Sequence, residues 1–147
     1  MKIHQLSVFV ENRPGHLVAP CKLLAEAGIN IVTLALAETK QYGILRLIVR
    51  DWQHAKDMLQ AGGFRVTITE VLAVQVEDRP GGLVEVLTPI SAAGLNVEYM
   101  YAFSTKTGGQ AVLVFRFENP DLALMTLRGS SINFIDTVDL FSRLDRT

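Results

Sequence analysis

Along the first seventy residues the apolar positions change period four times. Leu6, Val8 and Val10 alternate with Gln5, Ser7 and Phe9, the period-two pattern of a half-buried strand. Pro14 then suits a first helical turn, and Leu17, Cys21 and Leu24 recur at helical spacing until Gly28, which can adopt the left-handed conformation that ends a helix. Strands are predicted from Ile29 to about Leu36 and from Ile44 to Val49, with a polar turn between them that ends at Gly43. Asp51 can cap a short helix carrying Ala55, Met58 and Leu59, which Gly62-Gly63 ends before a last strand over Phe64–Thr69.

The remainder repeats this order. Glu11-Asn12-Arg13-Pro14-Gly15-His16-Leu17 recurs 66 residues later as Glu77-Asp78-Arg79-Pro80-Gly81-Gly82-Leu83. At the same offset Ala27-Gly28-Ile29-Asn30-Ile31 recurs as Ala93-Gly94-Leu95-Asn96-Val97, and Gly43 meets Gly109. The chain is therefore an internal duplication. In the second copy Val74 and Val76 mark a strand, Leu83, Leu87 and Ile90 a helix, and Leu95–Phe103 and Gln110–Glu118 two further strands. Asn119-Pro120-Asp121 is a strong helix start, and Phe134–Leu140 reads as the last strand. Pro89 interrupts the first helix of this copy and predicts a bend there. The fold class is α+β: two tandem ferredoxin-like βαββαβ modules, residues 1–70 and 71–147, each an antiparallel sheet with its helices on one face. The crossover rule puts the first and third strands of each module at the centre. The link Thr69–Ala73 has neither glycine nor proline and leaves little slack.

Composition narrows the function. With 14 basic and 15 acidic residues the net charge is −1, so the basic excess that meets nucleic-acid phosphates is lacking. A single cysteine, Cys21, cannot close an internal disulfide and sits on an apolar helix face, where a small buried side chain is expected. No apolar run approaches the ~20 residues of a membrane span, and the N-terminus lacks the apolar core of a signal peptide, so a cytoplasmic location without membrane association is expected. His4, His16 and His54 have no metal-binding spacing, and His4 and His54 read as surface residues. Nothing in the sequence assembles a catalytic triad, a Cys–His pair or paired carboxylates, so neither a catalytic residue nor a cofactor is expected.

The candidate chemistry lies in the repeated loop. Asn12 or Asp78 stands beside Arg13-Pro14-Gly15 or Arg79-Pro80-Gly81 at a helix N-terminus. There the backbone N–H groups of Gly15, His16 and Leu17, or of Gly81, Gly82 and Leu83, can receive a carboxylate. Asn30 and Asn96 open the second strands, followed by Ile31 and Val97, and their side-chain oxygens can accept from an ammonium. Together these groups suit a zwitterion. The competing reading is structural: Asn or Asp before a helix is commonly a cap, and glycine after it a turn. Tyr99, Tyr101 and Phe103 share one face of a strand, either as packing or as a wall for a ligand side chain. Trp52 is expected to pack.

These residues, Glu-Asn-Arg-Pro-Gly-X-Leu followed by Ala-Gly-Ile-Asn-Ile, resemble the ACT domain family. The loop is similar to that of the serine-sensing regulatory domain of bacterial 3-phosphoglycerate dehydrogenase, and the whole chain to small stand-alone tandem-ACT proteins of bacteria. The resemblance implies a regulatory protein, not an enzyme, that binds a free amino acid between modules. Asn12 and Asn30, with Asp78 and Asn96 in the second copy, match its ligand-holding amides. Val10 replaces the ligand-contacting histidine of the dehydrogenase pattern, and Asp78 replaces the asparagine, so a serine preference does not carry over. A homodimer is expected, because Phe9, Val32 and Leu34 offer apolar surface beyond one helix layer, and a partner enzyme of amino-acid or related metabolism is the expected target. The alternative is a protein-interaction or dimerisation module that binds no ligand.

Overall fold

The computed structural model describes residues 1–104 and 109–145. It divides into two compact units, one formed by His4–Thr69 and the other by Glu70–Thr147 together with Met1–Ile3. In the first unit β1 (Ile3–Glu11), α1 (Val18–Glu26), β2 (Ile31–Glu38), β3 (Tyr42–Val49) and α2 (Trp52–Ala61) lead into β4 (Arg65–Glu77). The strand order is β2-β3-β1-β4, with the first and third strands central. β1 meets β3 antiparallel from Leu6↔Leu47 to Glu11↔Tyr42. Leu6, Val8, Leu45, Leu47 and Leu24 form the buried core beneath the helices, with Ala55 and Leu59 from α2. The opposite face of β1 is not the polar, wet surface that its alternation suggests: Gln5 and Ser7 are buried and joined side chain to side chain at 3.4 Å.

The second unit repeats the plan on the later part of β4, which is one continuous strand of 13 residues. α3 (Gly82–Ala92), β5 (Val97–Ser104), β6 (Gln110–Phe117), α4 (Pro120–Thr126), β7 (Asn133–Ile135) and α5 (Thr137–Asp145) follow. Here β6 lies between β5 and β4, and β7 pairs with Ala73–Gln75 of β4. Phe115, Leu72, Val74 and Ile90 centre the core. Asn119 caps α4 by accepting from Leu122 N at 3.0 Å.

Four readings of the sequence change. The strand expected over Phe134–Leu140 is three residues of β7 followed by α5, because the Asp136 carboxylate accepts from Asp139 N at 2.8 Å and starts a helix. Pro14 lies outside α1, since Gly15 takes a positive φ of 81° and the chain turns twice more before the helix begins. Pro20 is the helix's proline, in its first turn, where no N–H is needed. Gly43 and Gly109 are not structural equivalents. Asn12 N donates to Gln41 O, whereas Asp78 N donates to Gly109 O, so the third strand of the second copy is shifted by two residues. Pro89 lies within α3, and Ala93 N donates to its carbonyl. His4 is half-buried rather than a surface residue, stacked on Trp52 with ring centroids 4.5 Å apart.

The start of the chain belongs with the second unit. Lys2 Nζ lies 3.0 Å from Glu70 and 3.1 Å from Asp121, and these carboxylates, Glu70 foremost, raise its pKa above the ordinary 10.5. A raised lysine pKa contributes stability below the unfolded value, and that contribution is lost as pH climbs through the folded one. Titration of the Lys2 side chain by NMR is expected to give a midpoint above 10.5, falling to the ordinary value when Glu70 and Asp121 are both replaced by their amides. Asp136→Ala is expected to cost about 1 kcal/mol in urea denaturation, the usual effect of losing a helix cap.

Candidate functional site

β1 ends at Glu11 opposite Tyr42, and the chain leaves the sheet into the Asn12–Leu17 loop. Asn12 is fixed there on both sides: its backbone N donates to Gln41 O at 3.1 Å, and its Nδ2 donates to Thr39 O at 3.1 Å. Its Oδ1 takes no hydrogen bond from a described residue. The left-handed Gly15 turns the backbone so that His16 N donates to Arg13 O and Val18 N to Gly15 O. The His16 ring bonds Arg13 O through Nδ1, which folds the imidazole over the loop. The Gly15 and Leu17 N–H groups donate to no described backbone oxygen. Below them a cleft of about 390 Å³ is walled by Arg13, Gly15 and His16, by Phe64 from the end of the unit, and by Phe9 and Arg65. Among the described residues Arg13 pairs with Glu11 at 3.1 Å, and both side chains are mostly exposed.

The second loop has the same motif and a different interior. Gly82 stands where His16 stands in the first copy, and a Cβ at Gly82 would overlap the Glu77 carbonyl oxygen. The loop is thus closed onto its own strand, and α3 starts at Gly82 behind a left-handed Gly81, two residues earlier than α1 does. Arg79 is held by two carboxylates, Glu77 at 2.5 Å and Glu85 at 2.6 Å, which push its pKa above its already high ordinary value. Ala19 occupies the position of Glu85 in the first copy, so Arg13 has no second partner of this kind. The cleft is smaller, about 260 Å³, and Glu77 and Glu85 line it without Arg79. The first cleft sets Arg13 and Arg65 against one glutamate, and the second carries two glutamates.

The strand-two asparagines are elsewhere. Ile31 lies opposite Val49 at one end of β3, and Glu11 lies opposite Tyr42 at the other, so the sheet separates Asn30 from Asn12 by roughly 23 Å, the length of β3. Asn30 is exposed and lines its own cleft of about 290 Å³ with Arg50, Asp51 and His54. Ile31 and Val97 are half-buried against the cores, while Asn96, Asp78 and Leu83 are exposed. No unit brings its loop and its strand-two asparagine onto one ligand. Tyr99, Tyr101 and Phe103 are half-buried on the sheet face away from the helices, opposite Arg116, Val114 and Val112.

Sequence reasoning missed a larger cavity, about 620 Å³, which adjoins the first loop. Phe9, Ile44 and Ala37 form a cross-strand row through β1, β3 and β2 on the face away from the helices, and Tyr42, Glu38 and Thr39 rim it. The Arg65 guanidinium sits 4.9 Å from the centre of the Phe9 ring. Alternation places Phe9 on that face, but only the strand pairing shows that it meets Ile44 and Ala37.

The family described as ACT domain pair matches residues 1–144. A Bacteroides thetaiotaomicron protein of known structure is 36% identical, covers 96% of each chain and superposes with a TM-score of 0.88. The regulatory subunits of aspartate kinase from Thermus thermophilus and Thermus flavus share the fold at 15% and 14% identity. They have TM-scores of 0.61 and 0.60, covering 85% and 98% of this chain and 90% and 94% of theirs. No curated protein matches the chain.

The contrast at the equivalent loop positions is testable by stability. Gly82→Ala is expected to lower the urea midpoint, by an overpacking cost of about 1–3 kcal/mol. His16→Ala, where a side chain is already accommodated, is expected to change it by less than about 1 kcal/mol.

Proposed function

The chain belongs to the ACT domain pair family, and from that premise we propose that it is a regulatory protein without catalytic activity, which binds one free amino acid at the Asn12–Leu17 loop. The observation that carries the choice of loop is the difference in charge and closure between the two copies. The first loop offers Gly15 and Leu17 N–H groups, Arg13 and Arg65 to a carboxylate. The second is shut by Gly82 packing and lined by Glu77 and Glu85. Asp78 adds a further negative charge where Asn12 has none.

Because Asn30 lies at the far end of the sheet from Asn12, the ammonium partner comes from another module, in a homodimer the strand-two asparagine, Asn30 or Asn96, of the other chain. Gly82 and Val97 then act in packing. Ligand binding regulates a partner enzyme of amino-acid or related metabolism only if the ligand prefers one arrangement of the assembly over another. A module that contacts its partner without any ligand is the competing reading.

Calorimetry against the twenty amino acids is expected to give binding of at least one, at one per chain. Asn12→Ala and Arg13→Ala should each weaken it about tenfold, and Asp78→Ala should leave it unchanged. Two equivalents per chain, or loss with Asp78→Ala, would overturn the choice of loop. Absence of heat across the panel would favour the ligand-independent module.

A further inference from the structure

The 390 Å³ cleft under the first loop and the 620 Å³ groove beside it share Phe9, Val10, Glu11 and Arg65 in their walls. They adjoin along these residues, with Arg65 and Phe9 in both walls. The loop end is polar and cationic. The groove end is apolar along Phe9, Ile44 and Ala37, a row fixed by the pairing Phe9↔Ile44 and Ala37↔Ile44. Its rim carries Glu11 and Glu38. We propose that the two clefts open into one another and together select amino acids with a large apolar side chain, the carboxylate at the loop and the side chain along the Phe9–Ile44–Ala37 row. This rests on the first loop being an amino-acid site.

Four features decide the class. A volume of about 620 Å³ lies in the range that holds small organic ligands, and a hydroxymethyl group would leave the row wet. Glu11 and Glu38 at the rim oppose an acidic side chain. Arg65 over Phe9 puts the cation where the two regions meet, 4.9 Å from the ring centre, so it can face the ligand carboxylate while its aromatic partner faces the ligand's apolar side chain. Val10, buried at the same join, adds no hydrogen-bonding group for a hydroxyl.

The test is calorimetry of the full chain with leucine, isoleucine, methionine and phenylalanine against glycine, serine and aspartate. At least one apolar amino acid is expected to bind ten or more times more tightly than serine. Ala37→Phe, which fills the groove, should cost the apolar ligands tenfold or more. The wild-type order of affinities tests the same point without relying on that variant's folding. Serine, glycine or aspartate binding as tightly as the apolar set would overturn the inference and leave the amino-acid site standing. Binding by none of the twenty would overturn both.

Discussion

The antiparallel pairing of the first and third strands in each unit is the constraint on which the rest depends. In the first unit β1 and β3 run in step from Leu6↔Leu47 to Glu11↔Tyr42. Shifting that register by one residue would turn Leu6, Val8 and Val10 away from the helices and expose the core. The same pairing sets where the chain leaves the sheet, and so where Asn12 meets Gln41 and Thr39. It also builds the Phe9–Ile44 step of the groove. Core, loop and cavity are three results of one ladder of hydrogen bonds.

The duplication kept this ladder and changed what surrounds it. A two-residue shift of the third strand, glycine in place of histidine and glutamate in place of alanine convert an open loop into a closed one. Each change is local, and each acts on backbone or charge without touching the core. Close approach to the Glu77 carbonyl requires the glycine, and the paired carboxylates hold Arg79 against its own loop. Similar motifs therefore have dissimilar chemistry. A loop's sequence says which groups are present, and its packing says which can face a ligand.

Most of the fold was legible because it is encoded locally, in alternation, helical spacing and cap residues that need no knowledge of distant partners. Leu6, Val8 and Val10 announce β1, and Asn119-Pro120 announces α4. The end of the chain misled because Phe134–Leu140 also alternates. Asp136, with an acidic residue three positions later, carried the opposing helix-start signal. The loop motif was readable for the same local reason. The Phe9–Ile44–Ala37 groove was not, since it joins residues from three strands whose proximity exists only after pairing. The distance between Asn12 and Asn30 is likewise a property of strand direction, invisible in two short motifs.

Lys2 reaches across 119 positions of sequence to Asp121. Synthesis from the ribosome is vectorial, so Met1–Ile3 leave the exit tunnel long before the helix that receives them exists. Lys2 can meet Glu70 once that residue is out, but Asp121 joins the pair only when most of the second repeat has emerged. Closing that loop is a late, long-range step of the kind that slows folding. The Lys2 cluster is thus completed only late in synthesis.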